Sequence, residues 1–354
     1  MAGRSDDAIA RARMVGLGVW SSPSSAPDAA VRRLVAMQAQ EHRYARWSVG
    51  QRSASSASEV DAAFDAGAIL RTHVLRPTWH FAAADDLRWL LALTGPILDR
   101  RNARRHEELG LDARTRRRAT DVIADAVTAG PLTRRELAEA LERRRIATDG
   151  QRIAHLLFHA ELHAAVCSGP MRGNVHTYAA FDARVPPGIA HEGVGALAEL
   201  ARRWFTTRGP ATLRDFAWWS GLPIADARAG LATAAEESGL RSFERDDRTY
   251  WFGDVAKRVR GPRVDLVQCY DETIISYTQS RDVLQTADVA FPVPRSIDGF
   301  VHVVLCDGRL LGHWRVARSR HGDAVETRIS RTLDDREEAA LAAALARYEE
   351  FART

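Results

Sequence analysis

Gly130-Pro131-Leu132-Thr133-Arg134-Arg135-Glu136-Leu137-Ala138 returns further along the chain as Gly209-Pro210-Ala211-Thr212-Leu213-Arg214-Asp215-Phe216-Ala217. Most positions are identical or chemically alike. In each copy a Thr two residues after the Pro can cap a helix, and the acidic residue three further on can complete a capping box, more loosely for the shorter Asp215. After each copy the pattern predicts a second helix (149–163 and 224–238) and then a strand pair (164–167 with 176–181; 241–245 with 249–253). Helix, helix and hairpin, twice in tandem, is the order of two winged helices.

Upstream, helices are expected over 6–16, 27–38, 44–51 and 58–66. Pro27 suits a first helical turn. Ser58 is the expected cap of the fourth helix, with Asp61 at its third position. A β-pair over 69–75 and 78–82 turns at Arg76-Pro77, so a third winged helix precedes the repeat. Residues 84–93 read as a helix with Leu87, Leu90 and Leu91 on one face, and 100–118 is strongly basic. From about 260 the texture changes to strands (264–270, 300–306, 310–316, 324–330), a turn at Asp307-Gly308 and a closing helix over 334–353. The stretch 285–299, with Pro292 and Pro294, reads as a surface loop. The expected fold is therefore α+β: tandem winged-helix (helix-turn-helix) domains over 1–125, 126–185 and 186–258, followed by a small C-terminal β-barrel-like domain over 259–354.

Within the first unit, Leu34-Val35-Ala36-Met37-Gln38-Ala39-Gln40-Glu41-His42 departs from pattern. On a helix, Val31, Leu34 and Val35 form a buried stripe, and Gln38 takes the next core position. A buried amide left without partners costs roughly 1–3 kcal/mol. Gln40 lies about 200° round a helix from Gln38, so the two amides converge only if the helix ends near Gln38 and the chain straightens. The alternative is an exposed pair of good helix formers.

Composition narrows the function classes. The chain has 354 residues, a formal net charge of +4 and a pI near 9.2, a mild pull toward polyanions. Its 50 basic residues include one lysine, Lys257. Alanine-rich, arginine-rich composition points first to genomic bias, so only the placement of arginines speaks to function. Three scattered cysteines, Cys167, Cys269 and Cys306, fit a reducing cytoplasm. No apolar run is long enough for a membrane span and no secretory h-region is visible.

Three wings and a basic surface suit double-stranded DNA. Arg100 and Arg104, in the block Arg100, Arg101, Arg104, Arg105, either face solvent or contact phosphates. Arg172, Arg245 and Arg248, at the tips of the later wings, are further phosphate candidates. His155, His159 and His163 share a helix face, but the sequence offers no convincingly placed carboxylate or cysteine to complete a metal sphere, and no metal or other cofactor is expected. Asp271-Glu272, after a strand, could be a carboxylate site, although such residues more often cap a turn or hold an arginine. The tryptophans, Trp218-Trp219 included, read as core. There is no glycine-rich phosphate loop, Cys–His nucleophile or serine elbow.

Leu34–Gln40, Trp47–Arg52, Leu70-Arg71-Thr72-His73-Val74-Leu75-Arg76-Pro77-Thr78-Trp79-His80-Phe81 and Asp85-Asp86-Leu87-Arg88-Trp89-Leu90 resemble the winged-helix DNA-binding family of AlkZ-type DNA glycosylases. So do Tyr270-Asp271-Glu272 and Asp307-Gly308-Arg309-Leu310-Leu311-Gly312-His313-Trp314. The likeness runs in order from about 6 to 350. It implies three winged helices and a β-barrel around a DNA channel, and a catalytic Gln–aliphatic–Gln motif that Gln38-Ala39-Gln40 matches. It further implies a monofunctional DNA glycosylase for alkylated (N7 or N3) or interstrand-crosslinked purines, with water positioned by Gln38 and Gln40. On the neighbouring β-pair, Arg71, His73, Arg76, Thr78 and His80 would hold flanking phosphates or orient the amides; otherwise they are structural. The rival expectation is a non-catalytic winged-helix DNA-binding or regulatory protein. Either way a cytoplasmic, nucleoid-associated monomer is expected.

Overall fold

Three times along the chain, a short extended segment, two helices and a hairpin follow one another. The computed structural model describes residues 2–188, 190–254, 261–286, 289, 298–319 and 322–354. Lys257 and the loop prolines Pro292 and Pro294 lie outside the described residues. In the first pass, α1 (Ala2–Gly16) and α2 (Pro27–Leu34) lead into β1 (Ala36–Gln38), α3 (His42–Ser53), α4 (Ala57–Ala66) and the hairpin β2 (Ile69–His73) and β3 (Trp79–Ala83). In the second, α5 (Ala84–Glu108) and α6 (Ala113–Ala126) precede β4 (Leu132–Thr133), α7 (Arg134–Arg143), α8 (Arg152–Leu162), β5 (Val166–Ser168) and β6 (Thr177–Ala180), closed by a single turn, α9 (Phe181–Arg184). The third comprises α10 (Gly193–Arg208), α11 (Leu213–Ser220), α12 (Ile224–Ser238), β7 (Arg241–Arg245) and β8 (Arg248–Phe252).

The nine-residue repeat has a structural counterpart at each step. Thr133 and Thr212 cap α7 and α11, each in a full capping box with Glu136 and Asp215. Leu132 pairs with Tyr178 on β6, and the equivalent Ala211 bridges Trp251 on β8. The sheet orders β1-β3-β2 and β4-β6-β5 are the same, so β1 stands in the first unit where the repeat stands in the second.

Three expectations in this region are corrected. The helix expected to 38 ends at Leu34, because Val35 leaves helical geometry at φ 67°, ψ −57°. The cap of α4 is Ser56, boxed with Glu59, not Ser58 with Asp61. The helix expected to stop at 93 runs on through Pro96 to Glu108, and the basic stretch 100–118 is divided between α5 and α6 by Asp112, whose side chain caps α6.

The last unit has β9 (Val264–Val267), a one-turn α13 (Glu272–Ile275), β10 (His302–Cys306), β11 (Arg309–Ser319), β12 (Gly322–Ile329) and α14 (Asp335–Arg353). Its strands form one antiparallel sheet in the order β12-β11-β10-β9. With β9 and β12 at its edges, this is half a barrel, not a closed one. The half-barrel packs on the first unit: Val264, Leu266, Trp314, Tyr348 and Phe351 share a core with Leu34, Met37, Trp47, Phe64 and Phe81. Trp47 and Trp314 donate their indole N–H to the carbonyls of Leu266 and Val267. That satisfies the one polar group each would otherwise bury unpaired. Trp204 and Trp219 are core residues as expected, whereas Trp218 is 50% exposed. No described helix is long and apolar enough to cross a membrane.

Candidate active site

The segment between α2 and α3 is shaped by one strained residue. Val35 is fully buried and holds a positive φ that β-branched residues almost never adopt. Its N–H still reaches the carbonyl of Arg32 at 3.1 Å, and the next residue begins β1. Arg208, at the end of α10, sits across this kink. Its Nη1 donates to the carbonyl of Leu34 and its Nη2 to that of Ala36, both at 3.0 Å, so both sides of Val35 are held by one guanidinium. Glu272 partners Arg208 at 2.8 Å and with its other oxygen accepts the backbone N–H of Gln38 at 2.9 Å. Trp219 Nε1 and the Ser276 hydroxyl also donate to Glu272. Beside it, Asp271 forms a buried bidentate pair with Arg52. Asp271-Glu272 therefore holds arginines, as its sequence reading allowed.

The chain straightens after Val35 into β1, which ends at Gln38, and Gln40 follows two residues beyond in a bend. Gln38 is 6% exposed and stands opposite His80 in the β1–β3 register, while Gln40 is exposed. Arg76 Nη2 donates to Gln38 Oε1 at 2.8 Å, and the Trp79 N–H reaches Gln40 Oε1 at 3.4 Å. Burial lowers the Arg76 pKa to about 10, opposed by nearby Glu272, so it remains a cation at neutral pH. The loop bearing Arg76 turns at Leu75, φ 65°. A Cβ on Gly221 would lie 2.2 Å from the Leu75 carbonyl, so only glycine fits beneath that turn.

Around Gln38, Arg76 Nε, Thr78 Oγ1 and His80 Nε2 are buried without a hydrogen-bond partner in the protein. Such groups are scarce in folded proteins and mark places for water or ligand. Burial keeps His80 neutral, well below its usual pKa; its Nδ1 donates to the Thr78 carbonyl at 2.8 Å, leaving Nε2 as an acceptor.

The remaining candidates divide by exposure. His80 is 0% exposed, which corrects its reading as a phosphate contact: it has no surface to offer DNA. Arg71 is also buried, and donates to the carbonyls of Ala39 and Gln40 while stacking over Trp79. His73 Nδ1 lies 2.5 Å from Glu161 on α8. Arg245 is paired with Asp6 and Asp246, and Arg248 with Asp282. Arg100 and Arg104 are exposed on α5, and Arg172 is exposed beside Glu136. A cleft of about 750 Å³ opens beside the motif, lined by Arg71, Trp79, Arg134, Arg172, His176 and Tyr178. Arg208 carries no motif of its own in the sequence; its only signal is its place before the repeated Gly209-Pro210.

The kinked entry to β1 and its buried Gln38 are set among tandem helix–hairpin units. The chain belongs to the AlkZ-like DNA glycosylase family: the family pattern described as "DNA glycosylase AlkZ-like" matches residues 31–351. DNA is accordingly its substrate. Among solved structures it is similar to Streptomyces sahachiroi DNA glycosylase AlkZ, with a TM-score of 0.75 and 20% identity over 96% of this chain and 95% of that one. That likeness speaks for the fold. No curated protein matches the chain.

Proposed function

We propose that the protein is a monofunctional glycosylase that hydrolyses the N-glycosidic bond of N7- or N3-alkylated purines, including purines crosslinked between strands. The observation carrying this reading is the near-buried Gln38 held by Arg76 and Glu272, with Gln40 two residues on and its Oε1 reached by the Trp79 N–H of the neighbouring strand β3. Alkylation at N7 or N3 makes the purine a cationic leaving group, so departure needs little acid. The enzyme's part is then to place water at C1′ and to support the oxocarbenium-like sugar. Two neutral carbonyls suit that task. Gln38 Oε1 spends one lone pair on Arg76 and keeps the other to orient a water. His80, opposite Gln38 in the β1–β3 register, and Thr78 just before β3 keep a buried Nε2 and Oγ1 with hydrogen-bonding capacity to spare.

In this reading the three helix–hairpin units are winged helices. Exposed Arg100, Arg104 and Arg172 contact the DNA backbone, and Arg71, Arg76 and His80 organise the amide strand from within. The test is incubation with duplexes carrying N7-methylguanine, N3-methyladenine or an interstrand purine crosslink, followed by alkali. The expected result is an alkali-labile abasic site in at least one of them. DNA binding without base release from any would overturn the reading.

A further inference from the structure

We propose that Asp99, His159 and His163 form a binding site for a divalent transition metal, zinc above all, that ties α5 to α8. His159 and His163 are one helical turn apart, and their rings lie 4.1 Å centroid to centroid. Asp99 projects from the facing helix α5, and one donor atom from each of the three lies within 4.8 Å of the others. Donors on a tetrahedral zinc stand roughly 3.3 Å apart, given metal–ligand distances near 2.0–2.1 Å, so small side-chain rotations close the sphere. The carboxylate that the sequence did not place comes from a helix some sixty positions upstream, brought alongside only by folding.

Three further features point to a ligand rather than to a chance cluster. Asp99 Oδ1 is buried and has no hydrogen-bond partner. His106, about two turns further along α5, is 1% exposed with both ring nitrogens unpartnered, and its Nδ1 stands 4.0 Å from that same carboxylate oxygen. Buried polar atoms left without partners, as in His106 and at Asp99 Oδ1, are costly unless something completes them. The Thr120 hydroxyl takes the Nδ1 side of His159 at 2.9 Å, which leaves Nε2 for the metal, as second-shell partners of zinc-bound histidines do. His163 is exposed and gives the ion a way in. Water or His106 would supply the fourth position.

The ion would pin α8 to the long helix α5 within the second unit, a structural task separate from Gln38 and Gln40. The test uses the full chain, stripped with chelator and titrated with zinc by calorimetry and with cobalt by visible absorption. One saturable equivalent, a rise in thermal midpoint and a tetrahedral cobalt band are expected. His163→Ala, on an exposed residue whose loss leaves folding intact, should abolish the cobalt band, and Asp99→Asn should weaken zinc binding at least tenfold. Far-UV circular dichroism verifies that each variant is folded. No saturable zinc binding by the wild-type chain would overturn the proposal, as would unchanged binding in folded His163→Ala.

Discussion

Arg208 and Glu272 form a buried ion pair that grips the backbone on both sides of Val35 and at Gln38. The pair lies at 0% and 1% side-chain exposure, so neither charge has water to fall back on. Removing one partner of such a pair costs about 3–5 kcal/mol, because the other is left buried and uncompensated. Arg208→Met should therefore lower stability by about that amount, read from urea unfolding. It also releases the carbonyls of Leu34 and Ala36. Among molecules that remain folded, base release should fall more than DNA affinity, since the kink that aims Gln38 is no longer held. A variant that keeps full turnover would show that the strained turn at Val35 maintains itself.

Gln38→Ala and Gln40→Ala should each lower the rate of base release by about 10²–10³, the range seen when one preorganised polar group is removed from a transition state. DNA affinity should stay within a few-fold, because neither amide is a charge on the binding surface. Arg76→Met should resemble Gln38→Ala, since Arg76 fixes the Gln38 carbonyl. Single-turnover assays on alkylated duplex separate the two quantities. Equal losses of binding and turnover would make the motif a scaffold element.

The repeat was legible because capping chemistry is local: Thr, three residues and an acid specify a helix start wherever they occur. β1 was not, although the repeat contained the clue. Leu132 and Ala211 occupy the edge position that Ala36–Gln38 holds in the first unit, but the first unit lacks the Gly-Pro and Thr that mark it. What ends α2 is a residue that local propensity favours in extended or helical structure, forced to φ 67° by contacts from 170 and more positions away. Such an override has no trace in the local sequence. Gln38 was legible as an anomaly on a helical stripe; that Arg208 and Glu272 support its strand was not, because the support is wholly tertiary. Asp99 was illegible for the same reason.

Stability should fall on mild acidification. Burial keeps His80 well below its usual pKa and lowers His302 to about 4. His302 Nδ1 also accepts the Cys269 N–H, a bond that protonation would abolish. Both rings are neutral in the folded chain over a range where an unfolded histidine, near 6.5, takes up a proton. The unfolded state therefore binds more protons below about pH 6.5, and each ring's contribution is complete above that value and lost as pH drops toward the folded pKa. The slope is about 1.4 kcal/mol per pH unit per histidine. Urea midpoints should be level from about pH 8 to 7 and fall steadily below about 6.5, with a shallower fall in His302→Gln. A midpoint that holds level down to pH 4.5 would mean that these rings protonate in place.

Strand cleavage is the property that separates water-based from amine-based base removal. An amine nucleophile forms a Schiff base at C1′ and goes on to break the strand by β-elimination. This chain has one lysine, Lys257, flanked by Arg258 and followed by Arg260, and it lies outside the described residues. Its sequence surroundings are charged, with no apolar run to depress an ammonium pKa. The amide pair, by contrast, can only orient a water and leaves no covalent intermediate. Base release should thus leave an intact abasic strand until alkali is added, and borohydride should trap no protein–DNA adduct. Lys257→Ala should release base at the wild-type rate. An adduct that forms with the wild-type chain and disappears in Lys257→Ala would move the chemistry away from Gln38 and Gln40 and onto the segment after β8.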